Sequence, residues 1–221
     1  MILAAGRGER MRPLTDTTPK PLLNVRGKPL IVWHLEALAR AGVREVVVNL
    51  AWLGGTIREA LGSGARFGLR LHYSQEPDGA LETGGGILQA LPWLGSGPFL
   101  VVNGDIFTDL DFAPLRIEPD ALAHLVLVPN PAHHARGDFA LRGAEVLEDG
   151  PLRHTYSGVG VYRAELFAGC AGGRFPLLPL LHQAIAVRRL RGQLYAGQWS
   201  DVGTIARLSA LNDPLRAPPR R

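Results

Sequence analysis

The sequence has one cysteine, two methionines and no long hydrophobic run in its 221 residues. A lone cysteine, Cys170, cannot form an internal disulfide, which is typical of proteins in a reducing compartment. No apolar stretch approaches the roughly 20 residues of a membrane-spanning helix, and the first residues lack the basic and apolar regions of a signal peptide. These absences predict a cytoplasmic protein with no membrane partner.

Basic residues outnumber acidic ones, giving a net charge of +4 at pH 7 and a pI of about 9.7, which favours anionic partners. Most of them are scattered, and no helix-turn-helix, zinc-ligand or aromatic RNA-binding pattern accompanies them, so no nucleic-acid partner is expected. A local cluster fits a small phosphorylated ligand better; it comprises Arg7, Arg10, Arg12 and Lys20. The Pro- and Arg-rich residues 213–221 predict a disordered tail.

Strand and helix patterns alternate through the first half of the chain. Short apolar strands are predicted at the amino terminus, at 44–50, at 69–75 and at 98–105. Helices are predicted between them, from near Pro29 to Gly42, over 54–62, and from Thr83, which we expect to be a helix N-cap. This order implies an α/β fold: a doubly wound, mostly parallel, Rossmann-like mixed sheet with helices on both faces.

The second half has a different pattern, with strands separated by Gly, Pro and Asn turns. Segments 121–130, 138–143 and 156–162 predict antiparallel pairs and a small lid-like hairpin. A helix over 176–188 follows, with Pro179 tolerated in its first turn, and a last helix begins around Thr204. Without internal repeats, the pattern predicts one catalytic domain over residues 1–212.

The segment LAAGRGERMRPLTDTTPKPL, residues 3–22, is a glycine- and arginine-rich loop after the first strand. Backbone N–H groups of such loops converge on phosphates. It is not a Walker A loop, because no Gly-Lys-Ser/Thr follows, and it is not a dinucleotide fingerprint, because Met11 replaces the third glycine. Pro21 disfavours a helical backbone for Lys20, which predicts an extended lysine.

The loop resembles the signature of the sugar-1-phosphate nucleotidylyltransferases, L-A-A-G-x-G-x-R-[LM]-x-P-L-T-x-x-x-P-K-P, at every fixed position. VVNGD (101–105) and WSDVGT (199–204) match as well. The resemblance implies catalytic roles for Arg10, Lys20 and Asp105. It also implies a nucleotide-binding segment formed by Leu3, Ala4, Ala5, Gly6 and Gly8.

Two aspartates far apart in the sequence are implied by the same resemblance to hold Mg²⁺ as a cofactor. Taken singly, Asp105 could be a turn residue and Asp201 a helix cap. Mg²⁺ commonly takes one or two carboxylates together with waters and substrate phosphates. The attacking sugar-phosphate oxygen is already anionic, so positioning and charge stabilisation suffice and no Ser–His or Cys–His pair is needed. Arg10 is expected to bind the β- and γ-phosphates, and Lys20 to bridge the sugar phosphate and the α-phosphate.

The segment PDGALETGGGIL (77–88) is implied to contact the base. Within the family, LETGGG, NPAHHARGDF and YSGVGVY look most like the bacterial N-acetylmuramate-1-phosphate uridylyltransferases of peptidoglycan recycling. This favours UTP and a sugar 1-phosphate as partners. The chain is expected to be a monomer or a small homo-oligomer. The implied nucleotide-binding residues are Glu82, Thr83, Gly84 and Gly85. The implied sugar-binding residues are Asn103, Gly137, Asp138 and Gly158.

Alternatives remain at this point. A mannose- or heptose-1-phosphate guanylyltransferase shares the loop, the lysine and both acids, and a catalytically silent nucleotide-sugar sensor would keep the fold. His133 and His134 are either loop residues near the sugar or a surface pair. Many family members hold the sugar phosphate with a lysine that is absent here, and Arg153 is the candidate substitute.

Overall fold

The computed structural model describes residues 1–77 and 80–213. Residues 214–221, most of the predicted tail, lie outside this range. The strands are β1 (Ile2–Leu3), β2 (Asn24–Val25), β3 (Lys28–Pro29), β4 (Glu45–Leu50), β5 (Arg70–Gln75), β6 (Phe99–Asn103), β7 (Ile106–Thr108), β8 (Ala123–Val128), β9 (Phe139–Arg142), β10 (Glu145–Leu147), β11 (Arg153–Tyr162), β12 (Leu190–Leu194) and β13 (Trp199–Asp201). The helices are α1 (Leu14–Thr17), α2 (Leu30–Arg40), α3 (Gly54–Leu61), α4 (Glu82–Leu94), α5 (Leu178–Ala186) and α6 (Ile205–Asn212).

One nine-stranded mixed sheet organises the fold, in the order β5-β4-β1-β6-β11-β8-β12-β10-β9. β5, β4, β1 and β6 are mutually parallel, as the alternating pattern predicts. β11 runs antiparallel to both β6 and β8, so the sheet becomes mixed where the sequence pattern changes. The predicted α/β fold is confirmed.

The sheet buries apolar side chains on both faces. In β4, Val46 and Val48 belong to the core that packs against α2 and α3, whereas Val47 faces the core formed with α4 and α5. Because successive strand residues point to opposite faces, a continuous apolar run is required where helices cover both sides. The prediction of helices on both faces is therefore confirmed.

Besides the main sheet, the described residues form two small antiparallel sheets, β2 with β3 and β7 with β13. β9 and β10 form a hairpin at the edge of the main sheet, in the region where the sequence predicts one. β7 and β13 pair separately, with Asp201 opposite Ile106. A small core that includes Met11, Phe107 and Val202 lies beneath this pair and the amino-terminal loop. It connects the loop to the carboxyl-terminal helix α6 through Leu211.

Two local predictions are wrong. Helix α4 begins at Glu82, its N-cap is Leu81, and no side chain caps it, so Thr83 is not the cap. Lys20 is not extended but begins a 3₁₀ turn over residues 20–22. The turn tolerates Pro21 because its hydrogen bonds are donated by the following amides, Leu22 N to Pro19 O and Leu23 N to Lys20 O. Among residues 1–77 and 80–213, no helix is long and apolar enough to cross a membrane.

Candidate active site

A cleft opens at the carboxyl ends of the parallel strands, which is where doubly wound sheets bind ligands. We call it the central cleft. Of the predicted nucleotide-binding residues, it is lined by Leu3, Ala4, Ala5, Gly6, Glu82 and Thr83. Gly6 has no atom within 4 Å of the place a Cβ would occupy, so its backbone faces open space.

Asn49 and Glu76 form a buried polar support beneath the central cleft. Each is 3% exposed. Asn49 Oδ1 accepts a hydrogen bond from Ala4 N at 2.7 Å, and its Nδ2 donates to Glu76 Oε1 at 2.6 Å. Glu76 Oε2 accepts from Leu81 N at 2.7 Å. Two side chains thus connect the start of the glycine loop to the start of α4, the two segments that form the walls of the cleft.

The glycine loop forms a second cavity next to the central cleft, lined by Arg7, Gly8, Glu9, Arg10 and Lys20. Gly8 has φ +69°, a conformation that favours glycine. The Arg7 guanidinium lies 4.5 Å from the centre of the Trp52 ring, a cation–π contact that holds it in place. Three cationic side chains therefore border a loop whose geometry suits a phosphate chain.

Lys20 and Asp105 meet where these cavities join. Lys20 Nζ donates to Asp105 Oδ2 at 2.9 Å, and the lysine side chain is only 11% exposed. Lys20 lines both the loop cavity and the central cleft. Asp105 lines the central cleft and a further cavity on the other side. The predicted catalytic lysine and acid therefore lie at one junction.

The further cavity, which we call the lateral cavity, extends from Asp105 toward β11 and β13. Asn103 lines it together with the central cleft. Gly158, at φ +80°, packs so closely on Asn103 that a Cβ would lie 2.6 Å from the amide nitrogen. Both are predicted sugar-binding residues, and both lie at the cavity. Its other lining residues include Arg10, His133, His134, Thr155, Ser157, Trp199 and Asp201.

The histidine pair divides between two acids. His133 Nε2 lies 3.0 Å from Asp201 Oδ1, and His134 Nε2 lies 2.9 Å from Asp138 Oδ1. Asp138 Oδ2 also accepts a hydrogen bond from Tyr156 N at 2.8 Å. Asp138 therefore fixes His134 and does not itself line the lateral cavity in this structure.

Gly137 and Arg153 also lie outside the cavity lining. A Cβ on Gly137, at φ +65°, would lie 2.7 Å from Asn130 Oδ1, so this glycine is required for packing. Arg153 Nη2 donates to the Asp138 carbonyl oxygen at 2.6 Å. In this arrangement Arg153 supports the loop behind the cavity.

Gly84 and Gly85 lie in α4 and do not line the central cleft. A Cβ on Gly84 would lie 2.5 Å from the Phe175 ring, and one on Gly85 would lie 2.1 Å from Gly173 O. Their lack of side chains is required for the approach of the 173–175 loop, and the prediction that they contact nucleotide has no support from their placement.

Asp105 and Asp201 are brought together by the β7–β13 pair. Val202 N donates to Asp105 O at 2.7 Å, and both acids line the lateral cavity. Asp201 Oδ2 lies 2.9 Å from Arg207 Nη2. Two carboxylates on neighbouring backbones suit Mg²⁺ completed by waters and phosphate oxygens. Among the described residues, no group of three or more His, Cys, Asp or Glu side chains is placed to hold a metal ion.

His34 binds the backbone of Ile106, the residue that follows Asp105 and lies opposite Asp201 in the β7–β13 pair. It is 2% exposed, and its Nε2 donates to the Ile106 carbonyl oxygen at 2.8 Å. Burial lowers the pKa of His34 to about 4, although the hydrogen bond to Ile106 and the charge of Asp105 act in the opposite direction. The ring is therefore neutral near pH 7 and donates through Nε2.

The sequence analysis missed several site residues that follow the strand ends. Asn49 lies near the end of β4, and Glu76 comes directly after β5. A polar residue at the carboxyl end of a buried parallel strand was the signal that could have found both. Thr155 and Ser157 gave no such signal, because the pairing that brings them to the lateral cavity is long-range.

A cationic glycine loop and adjoining cavities at the carboxyl ends of the parallel strands of a mixed sheet are the arrangement of a nucleotide-binding α/β enzyme. Residues 1–137 match the nucleotidyl transferase family, and the chain belongs to this family. It is 54% identical over 222 residues to the N-acetylmuramate alpha-1-phosphate uridylyltransferase of Neisseria meningitidis serogroup B, covering 94% of each chain. It is 35% identical to the enzyme of the same name from Caulobacter vibrioides, covering 92% of this chain and 90% of that one.

Solved structures share the fold at lower identity. A putative glucose-1-phosphate thymidylyltransferase from Bacillus anthracis, in complex with a sucrose, superposes with a TM-score of 0.84 at 21% identity. The alignment covers 100% of this chain and 96% of that one. HddC from Yersinia pseudotuberculosis superposes with a TM-score of 0.76 at 20% identity. That alignment covers 97% of this chain and 98% of the HddC chain. These likenesses confirm the fold.

Proposed function

We propose that the protein transfers a uridylyl group from UTP to N-acetylmuramic acid 1-phosphate, giving UDP-N-acetylmuramic acid and pyrophosphate. The observation that carries the proposal is the 54% identity to the Neisseria enzyme over 94% of both chains. In this reaction a phosphate oxygen of the sugar phosphate forms a bond to the α-phosphorus, and the bond to the bridging oxygen of pyrophosphate breaks. UDP-N-acetylmuramic acid made in this way would serve peptidoglycan recycling in the cytoplasm.

The three cavities suggest where each part of the two substrates binds. The central cleft accepts the nucleoside, with Glu82 and Thr83 on one wall and Ala4 to Gly6 on the other. The loop cavity accepts the β- and γ-phosphates, where the planar donor fork of Arg10 suits a leaving pyrophosphate. The lateral cavity accepts the sugar, with Asn103, Thr155 and Ser157 as polar contacts.

Lys20 is proposed to bridge the two phosphates that react. It lies at the junction of the cavities and is mostly buried, so its charge acts in a medium that screens it weakly. The nucleophile is an anion at neutral pH, and the protein's task is therefore to hold two anions in line and stabilise the charge that develops. Lys20 and Arg10 supply that positive charge from the chain itself.

Asp105 and Asp201 are proposed to hold Mg²⁺. Bound there, the ion would neutralise charge on the α-phosphate and the leaving group. In the described structure the same carboxylates pair with cationic or imidazole groups, Lys20 on Asp105 and Arg207 and His133 on Asp201. Both acids thus have cationic or imidazole neighbours at the edge of the lateral cavity.

The experiment that tests the proposal is an activity matrix of UTP, GTP and dTTP against several sugar 1-phosphates, with and without Mg²⁺. We expect pyrophosphate release to be fastest with UTP and N-acetylmuramic acid 1-phosphate. Faster turnover of GTP with mannose or heptose 1-phosphate would contradict the uridylyltransferase assignment. Binding without turnover of any pair would favour the sensor alternative.

A further inference from the structure

Among the described residues, buried side-chain atoms without a hydrogen-bond partner are concentrated beside one acid. They are Asp201 Oδ1, Arg207 Nε and Arg207 Nη2, and the one other such atom is Arg153 Nε. Buried polar atoms in folded proteins are nearly always paired, so each exception requires an explanation such as a missing ion, a water or a catalytic role. Two of the three do have ion-pair contacts that are not aligned as hydrogen bonds, Arg207 Nη2 at 2.9 Å from Asp201 Oδ2 and Asp201 Oδ1 at 3.0 Å from His133 Nε2. Such incompletely satisfied atoms on two adjoining residues indicate a site that is completed by a ligand.

The backbone of Arg207 is held in the first turn of α6 by a helix N-cap. Thr204 is the N-cap of α6, and its Oγ1 accepts a hydrogen bond from Arg207 N at 3.3 Å. The guanidinium turns back to place Nη2 at 2.9 Å from Asp201 Oδ2, and the two side chains are 19% and 25% exposed. The cap therefore sets the direction from which the arginine reaches the acid.

Gly203 makes this approach possible. A Cβ at this position would lie 2.3 Å from Arg207 Nη2 and 3.0 Å from Asp201 Oδ2. It would also lie 3.3 Å from Arg10 Nη2, so two guanidinium groups converge over the same glycine. Any larger residue would push Arg207 away from Asp201.

We propose that Arg207 is a positioning residue for Asp201: it holds Oδ2 from behind and so directs Oδ1 to the metal. The inference rests on the proposed function, because the metal belongs to that reaction. Asp201 Oδ1 is the oxygen beside His133, a residue of the lateral cavity, and their 3.0 Å contact is not aligned as a hydrogen bond. A metal ion would replace that contact. Residues that orient a metal ligand commonly change metal affinity by about 10- to 100-fold.

Arg207 is placed to act through Asp201 and not on substrate. Its Nε and Nη2 atoms are buried, and the residue does not line the lateral cavity. A substrate-binding role would require the guanidinium to reach past the acid. A positioning role requires only the contact that the structure shows.

The test measures Mn²⁺ binding directly, from the signal of free Mn²⁺ in electron paramagnetic resonance, with and without α,β-methylene-UTP. We expect Arg207→Met to weaken Mn²⁺ binding by about 10- to 100-fold, and Arg207→Lys to restore part of the affinity. Gly203→Ala keeps the charge but displaces the guanidinium, and it should cause a similar loss. In turnover, the apparent Mg²⁺ constant should rise while kcat at saturating Mg²⁺ stays within about threefold.

Arg191→Met is the matched control. Arg191 pairs with Asp120 at 2.9 Å and is 21% exposed, and it lies outside the three cavities. An equal loss of Mn²⁺ affinity in this control, or unchanged or tighter binding in R207M, would overturn the inference and leave the proposed reaction intact. If the wild-type protein binds no Mn²⁺ in either condition, the proposed metal site fails, and the inference fails with it.

Discussion

Lys20 Nζ lies 2.9 Å from Asp105 Oδ2, although 85 residues separate the two in the chain. The lysine is brought there by a 3₁₀ turn, and the acid by the turn that follows β6. Neither position is exceptional alone. Together they place a mostly buried cation against a carboxylate where the three cavities meet.

Lys20→Met should reduce kcat by about 10²- to 10³-fold, because it removes a preorganised charge from the reacting phosphates. UTP binding, measured by calorimetry, should weaken much less. Pyrophosphate release at saturating substrates is the direct measurement. A loss smaller than about tenfold would contradict the proposed role.

Lys28→Met is the control for Lys20→Met. Lys28 also pairs with an acid, Glu36, and its ammonium lies 3.7 Å from the centre of the Trp33 ring. It lines none of the three cavities that form the site. We expect this substitution to leave kcat unchanged, so that loss of an ion pair as such is separated from loss of the catalytic charge.

Glu76→Gln should raise KM for UTP by about tenfold with a smaller change in kcat. The substitution displaces a wall of the central cleft, which weakens nucleotide binding more than it slows the chemical step. The carboxylate accepts from both Asn49 Nδ2 and Leu81 N. A glutamine would turn an N–H toward one of these donors, and an unsatisfied buried group costs about 1–3 kcal/mol. Glu45→Gln, at an exposed carboxylate, is the control and should change neither quantity.

Most strands of the sheet could be predicted from the sequence. Apolar residues at every second position, or in a short continuous run, indicate a strand that packs on the core. The glycine loop and the order of elements were recognisable from neighbouring residues, whereas the roles of Asp105 and Asp201 came only from the family resemblance of their motifs. The lateral cavity was harder, since Thr155 and Ser157 reach it only through the long-range pairing of β11. The N-cap at Thr83 and the extended Lys20 were wrong because tertiary contacts outweighed local preference.

Glycines 84 and 85 show why a motif can be matched without identifying its contacts. A run of three glycines permits close approach of a ligand, but it equally permits close approach of another backbone. In this structure the 173–175 loop makes that approach, and Gly85 N donates to Phe175 O at 3.1 Å. The sequence pattern does not distinguish the two possibilities, because the loop lies about ninety residues away along the chain.

Gly84→Ala should therefore lower stability and leave KM for UTP nearly unchanged. Its Cβ would lie 2.5 Å from the Phe175 ring and 2.9 Å from Phe175 O, and such overpacking costs about 1–3 kcal/mol. Gly6→Ala is the matched comparison: its Cβ has no neighbour within 4 Å, so stability should persist while UTP binding weakens. Urea unfolding and UTP titration of both variants check this, and the opposite pattern would restore Gly84 to the nucleotide site.

The buried His34 should make stability depend on pH in a defined direction. Its folded-state pKa of about 4 lies below the ordinary 6.5, so the unfolded chain binds the extra proton between these values. The stabilisation is complete above pH 6.5 and is lost as the pH falls toward 4, by about 3 kcal/mol. His34→Gln can still donate to the Ile106 carbonyl oxygen but does not titrate. Urea unfolding at pH 4 to 7 should show the wild type losing about 3 kcal/mol more than this variant over that interval, and parallel losses would exclude His34 as the cause.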